Sequence, residues 1–192
     1  MRVRHPMEED EKKLSRVLSY LYGSREQVMR LKPSGILKVE AFIDASFVAH
    51  PDGKSHSGIV NQTSGVSVYF GSRKQKCVSK SPTEAEVVAL LDTLGFMELF
   101  AEFLNYVTDT KPLKPVIYQD STSVINMVVE GGGATRTKHM RTRLQMVIEA
   151  VKENHVKIGY KNTKEMKADG LTKMLAGAEF VSFRVEVLHL TD

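Results

Sequence analysis

A single cysteine, Cys77, in a chain of 192 residues excludes an internal disulfide and a cysteine-based zinc site, and gives no basis for redox chemistry. That side chain is expected to be a small, partly buried filler. Long apolar runs are missing too. Nothing approaches the roughly 20 residues needed to span a bilayer, and the mixed acidic and basic start from Met1 to Lys13 has no apolar signal core. Internal repeats and low-complexity segments are absent. Together these absences point to a cytoplasmic or nuclear protein with no membrane partner.

What is present suits one domain with short appendages, since 42% apolar and 26% charged residues suffice for one good core. A net charge of +4 implies only a mild preference for anionic partners. Its distribution says more, because ten basic residues from Arg136 to Lys173 face only Glu149, Glu153, Glu165 and Asp169. A charge run is usually a solvated face. Here it surrounds candidate catalytic acids, which favours a polyanionic partner.

Leu14, Val17, Leu18 and Leu21 recur at helical spacing, so the pattern predicts an amphipathic helix over Glu8 to Tyr22, stopped by Gly23. Lys32-Pro33-Ser34-Gly35 reads as a linker. From Ile36 the residues become β-branched and aromatic, which predicts a strand ending near Asp44, then strands over Gly58–Gln62 and Val66–Ser72 joined by turns. Ser81-Pro82-Thr83-Glu84 opens a long helix with a serine cap and proline at the first helical position. A strand over Lys114–Asp120, helices from about Ser121 and Thr137, a strand over Val156–Tyr160 and a short helix near Lys167 complete the chain. Strands that alternate with helices lie parallel to the first, so the expected fold is α/β: a five-stranded mixed sheet, three antiparallel strands then two parallel, flanked by helices. Phe42, Phe47, Tyr69 and Tyr118 are expected in the core.

Asp44 ends an apolar run where a bare carboxylate needs water or a cation. Asp120 ends a second strand, Glu86 lies in the first turns of the long helix, and Asp169 starts the last one. Ligands of open α/β sheets sit beyond the carboxyl ends of parallel strands, where Asp44 and Asp120 would lie side by side. Converging carboxylates suit Mg²⁺, with Mn²⁺ an alternative, and two such ions roughly 4 Å apart can stabilise a phosphodiester displacement. Glu86 is chosen over Glu84 because residues two apart on a helix point in nearly opposite directions. Glu86 shares a row with Leu90, Met97 and Leu104, whereas Glu84 is expected in the capping box and on the solvated face beside Asp92 and Glu102. Singly, each acid has a plainer reading as a turn, cap or surface residue.

The run Ser72-Arg73-Lys74-Gln75-Lys76 followed by Ser81-Pro82-Thr83-Glu84-Ala85-Glu86 resembles the ribonuclease H domain of copia-type retrotransposon polyproteins. Asp44-Ala45-Ser46 with Ser57-Gly58, Arg136-Thr137-Lys138-His139 and Ala168-Asp169-Gly170-Leu171-Thr172-Lys173 resemble the same family, in the same order. Lys12 to Gly23 resembles the end of the preceding reverse transcriptase. Pro82, Lys80 and Ser121 depart from the family pattern without removing an acid. The resemblance implies a ribonuclease H fold over residues 36–176, a remnant of reverse transcriptase and linker over residues 1–35, and a C-terminal tail over residues 177–192. It implies that Asp44, Glu86, Asp120 and Asp169 are the catalytic, metal-holding acids, Asp44 bridging two ions. The reaction would be hydrolysis of the RNA strand of an RNA–DNA hybrid, RNA being recognised through its 2′-hydroxyls, in a virus-like particle or the nucleus. The partner within the same polyprotein would be reverse transcriptase. Lys74, Lys76, Arg136 and Lys138 are candidate phosphate contacts, and His139 is given a structural or phosphate-facing role rather than a catalytic one. Two competing expectations are a catalytically silent retrotransposon fragment that binds nucleic acid, and a transposase or integrase of the same broad fold. The second would leave the S-P-T-E-A-E and A-D-G-L-T-K runs unexplained.

Overall fold

The computed structural model describes residues 5–109, 112–131 and 138–191. Its centre is strand β2, Val39–Ser46, where alternate side chains serve two cores. Val39, Ala41 and Ile43 face the larger core and Phe42 the smaller one, as the period of two in a strand requires. A strand buried on both faces reads as a nearly continuous apolar run.

Strands β3, His56–Thr63, and β4, Val66–Lys74, extend the sheet as an antiparallel meander. The turn between them has positive φ at Ser64 and Gly65, 53° and 80°, the conformation that matches strand twist in a two-residue hairpin. Strands β5, Val116–Gln119, and β6, Lys157–Tyr160, run parallel to β2, giving the order β4-β3-β2-β5-β6. The mixed five-stranded sheet expected from the sequence is the sheet observed. Its first strand starts at Val39 rather than Ile36, whose side chain is exposed.

Helix α2, Pro82–Thr108, lays Val87, Leu90, Leu94 and Met97 against the larger core, with Val124 and Val128 of α3, Thr122–Val129, and Leu144, Val147 and Ile148 of α4, Lys138–Lys152. Ser81 caps α2 by accepting the Glu84 N–H at 3.1 Å. Asp109 ends it in the left-handed region, φ 48°. The smaller core on the other face joins Phe42 and Val60 to Met166 and Ala168, with Phe183 and Val187 packed there.

Residues 177–192 were expected as a tail, yet Gly177–Glu186 form helix α5, which brings Phe183 to that core. Beyond it β7, Leu190–Thr191, pairs antiparallel with β1, Val28–Met29. Helix α1, Glu8–Gly23, has the predicted amphipathic pattern but buries none of its residues. The helix expected near Lys167 is a 3₁₀ turn over Lys167–Leu171. Phe47, expected in the core, is exposed because it lies just past the end of β2. Among the described residues, no helix is long and apolar enough to cross a membrane.

Candidate active site

Parallel pairing of β2 with β5 puts Phe42 opposite Tyr118, so the strands deliver Asp44 and Asp120 at neighbouring carboxyl ends. The first turns of α2 bring Glu86 between them. One carboxylate oxygen from each of Asp44, Glu86 and Asp120 lies within 4.8 Å of the others. Asp44 is 5% exposed and Glu86 8% exposed. Charges this close and this dry repel strongly, and the Glu86 carboxyl is accordingly pushed up to about 8, chiefly by burial and then by Asp44 and Asp120.

Each acid is held by a neutral donor. Ala45 N–H donates to Glu86 Oε1 at 3.2 Å, while Glu86 Oε2 is buried with no hydrogen-bond partner. Thr163 donates its hydroxyl to Asp120 Oδ2 at 2.7 Å, and Thr172 donates to Asp44 Oδ2. Nothing in composition or spacing marks the two threonines in advance. Both belong to the loop after β6, which the topology folds back over the strand ends.

Asp169 stands outside the group of three. Its Oδ2 accepts from Lys173 Nζ at 2.6 Å, one helical turn further on, and its Oδ1 is buried without a partner. Burial raises its carboxyl, the Lys173 hydrogen bond works the other way, and the charges of Asp44 and Asp120 raise it further. Lys173 itself is depressed by burial but held above its ordinary range by its hydrogen bond to Asp169 and the nearby carboxylates. Asp169 is therefore electrostatically part of the cluster although tethered at its rim.

Glu84 does not face solvent as expected. It is 2% exposed, its Oε2 accepts the Lys80 N–H at 2.8 Å, and Arg143 Nη1 lies 3.7 Å from its Oε1. The capping geometry turns it inward, where a cation from α4 offsets its charge. Gln75, hidden in a basic connector, is the other residue that sequence reasoning passed over. It is buried, donates to Ser57 Oγ at 3.0 Å and to Ala85 C=O at 2.9 Å, and accepts from Ser79 at 3.0 Å. These contacts pin the start of α2, and hence Glu86, to β3.

Of the candidate phosphate contacts, Lys76 is exposed, and Lys74 is exposed but lies 2.7 Å from the Asp52 carboxylate. Arg136 lies outside the described residues, and Lys138 begins α4 with a side chain outside the description, as does His139. Part of the basic excess is used internally. Along a groove beside Asp169, Lys167 donates to Gln62 Oε1 at 2.6 Å and sits over the Phe42 ring, while Lys161 sits over Tyr118. Glu40, Glu165 and Glu186 line the same groove.

The donor set is all carboxylate oxygen, the chemistry of hard divalent cations such as Mg²⁺ or Mn²⁺. The residues fit such an ion, because the unpartnered Glu86 Oε2 and Asp169 Oδ1 are costly to bury without one.

No family model matches the chain. Over 95% of its length it is 27% identical to the retrovirus-related Pol polyprotein from transposon RE1 of Arabidopsis thaliana, and over 85% it is 30% identical to that from transposon TNT 1-94 of Nicotiana tabacum. Over 83% it is 27% identical to the Ty1-JR2 Gag-Pol polyprotein of Saccharomyces cerevisiae. The chain spans 12%, 12% and 9% of those relatives. Its homologues are thus retrotransposon Pol polyproteins of the copia type, aligned through a small part of each. Among solved structures, LC11-RNase H1, isolated from compost by a metagenomic approach, superposes with a TM-score of 0.55 at 16% identity, covering 71% of this chain and 93% of that one. LC11-RNase H1 in complex with an RNA/DNA hybrid gives 0.54 at 14% identity, covering 70% and 93%. RNase H1 from the halophilic archaeon Halobacterium salinarum gives 0.51 at 17%, covering 70% and 93%. At these identities the likeness establishes the fold, which is that of ribonuclease H.

Proposed function

We propose that this chain is a ribonuclease H that uses divalent cations to hydrolyse the RNA strand of RNA–DNA hybrids, as the nuclease part of a retrotransposon Pol polyprotein that also carries reverse transcriptase. One observation carries the reading: Asp44, Glu86 and Asp120, from two parallel strand ends and a helix start, converge within 4.8 Å with little reason to do so unless a cation joins them. Homology to Pol polyproteins and the ribonuclease H fold support the same substrate class.

Asp44, Glu86 and Asp120 would hold the ions, with Asp169 as a fourth ligand once Lys173 gives way. Bound Mg²⁺ or Mn²⁺ would offset the charge that builds on the attacking and leaving oxygens. The chain's own part is placement. Thr172 and Thr163 orient the carboxylates of Asp44 and Asp120, Ala45 N–H orients Glu86, and Gln75 fixes the helix that carries it. Water would add to phosphorus in line as the P–O3′ bond breaks, leaving a 5′-phosphate and a 3′-hydroxyl.

The experiment is incubation of an end-labelled RNA with Mg²⁺ or Mn²⁺, paired in turn with DNA and with RNA. Cleavage confined to the hybrid, with 5′-phosphate products, supports the proposal. Binding of the hybrid without cleavage under any metal condition would favour the silent nucleic-acid-binding fragment instead.

A further inference from the structure

At the start of β3, outside the acid cluster, two histidines meet end to end. His50 Nε2 lies 3.0 Å from His56 Nδ1, with ring centroids 5.2 Å apart and planes inclined at 44°. Both are half-buried. His56 opens β3, and His50 sits on a turn closed by His50 N–H to Lys54 C=O at 3.1 Å and Gly53 N–H to His50 C=O at 2.9 Å. Glycine at 53 supplies the positive φ, 75°, that this turn requires.

The hydrogen-bond chain assigns the tautomers. Ser72 spends its one proton on the Leu171 carbonyl at 2.8 Å, so at 2.8 Å from His56 Nε2 its Oγ can only accept. His56 therefore carries its proton on Nε2 and turns the Nδ1 lone pair toward His50, which donates to it. Burial and then His50 disfavour the imidazolium form of His56. A neutral imidazole whose other N–H is held by a fixed acceptor is the arrangement that orients a metal-binding histidine.

The geometry points to a second metal site, in which His50 Nε2 and His56 Nδ1 together chelate one divalent transition ion of the Zn²⁺ class, with water completing the shell. Binding moves the His50 proton from Nε2 to Nδ1, so no net proton is released. Bonds of about 2.0–2.1 Å at a tetrahedral angle need the two nitrogens roughly 3.3 Å apart, a few tenths more than the 3.0 Å observed. The 5.2 Å between centroids sets the rings nearly end to end, so each must also turn by roughly 35° to aim its nitrogen at one ion in tetrahedral geometry. Of the charges beside the pair, Asp52 is 2.7 Å from Lys74, and Lys54 lies on the same turn, so the ion would be held by the imidazole nitrogens alone. Imidazole nitrogen separates this site from the all-oxygen cluster, since nitrogen suits zinc and carboxylate suits magnesium. An ion here would clip the 50–56 loop onto β3. Through His56, Ser72 and the Leu171 carbonyl it would also stiffen the turn that carries Asp169.

The test is a zinc titration of the full chain in excess Mg²⁺, followed by histidine ring NMR, with His50→Gln and His56→Gln as variants and His155→Gln as control. Two ring systems should shift together in the wild type. Each of the two variants should bind Zn²⁺ at least about tenfold more weakly, a loss of about 1.4 kcal/mol, with the control unchanged. No ring shift up to millimolar zinc, or wild-type zinc affinity in either variant, would overturn the site. If either variant fails to fold, the wild-type ring shifts decide alone. The readout does not depend on nuclease activity, so its failure is distinct from failure of the proposed reaction.

Discussion

At the scale of residues, Glu86 makes the sharpest forecast. Its carboxyl, ordinarily near 4.5, is raised to about 8 in the fold, so between those values the folded metal-free protein holds a proton that the unfolded chain has released. Stability must then fall as pH rises through that window and level off above it. Glu86→Gln removes the effect. In EDTA the variant should gain stability relative to wild type from about pH 5 to about pH 8, by at most about 1.4 kcal/mol per unit, read by chemical denaturation. A pH-independent difference would place Glu86 elsewhere. Thr172 offers a complementary check, because its hydroxyl holds Asp44. Thr172→Ala should lower kcat more than it changes KM for the hybrid, with Thr172→Ser restoring most of the loss. Asp44, Glu86 and Asp120 were legible in the sequence because each closes or opens an element of clear periodicity. The roles of Thr163 and Thr172 were not, since donation to a distant carboxylate is not a local feature, although Thr172 stands in the run from Ala168 to Lys173 that carries the family resemblance. Glu84 was misread for a related reason, its half-buried partner Arg143 lying 59 positions away in the chain.

At the scale of elements, the turn over Lys167–Leu171 lies so close to β3 that only glycine fits at position 58. A Cβ there would stand 2.8 Å from the Ala168 carbonyl oxygen and 2.8 Å from Thr172 Cγ2. Gly58 also faces Asp44 across the β2–β3 ladder. Gly58→Ala should cost about 1–3 kcal/mol by overpacking, and should depress cleavage beyond what its melting temperature explains. An unchanged melting temperature would deny the close approach. Gln75→Ala leaves the Ala85 carbonyl and the Ser57 and Ser79 hydroxyls short of a partner, at about 1–3 kcal/mol for each buried group that water does not reach. Sheet and helices were readable because their periods are local. Register, the inward turn of the Gln75 connector and the packing of α5 depend on contacts between distant segments, which no window of sequence contains. For α5 the apolar positions Phe180, Val181, Phe183 and Val187 are present, but a short segment past two glycines reads as easily as a tail.

At the scale of the whole molecule, a ribonuclease H sheet brings acids from four separate segments to one edge. Hybrid affinity should fall steeply with salt. Lys76→Ala should reduce the salt slope by about 1, and Lys74→Ala by less, because Asp52 already offsets Lys74. Equal slopes in wild type and both variants would move the interface off this edge. Affinity for Mg²⁺ should rise with pH up to about 8, as the proton on Glu86 gives way to the ion. The central claim, that the converged carboxylates serve hydrolysis, is tested most directly by comparing cleavage of an RNA–DNA hybrid in Mg²⁺ by wild type and Asp120→Asn at equal protein and hybrid occupancy. Loss of several kcal/mol of transition-state stabilisation should slow the variant by at least about a hundredfold with binding retained. Cleavage at the wild-type rate would contradict the assignment.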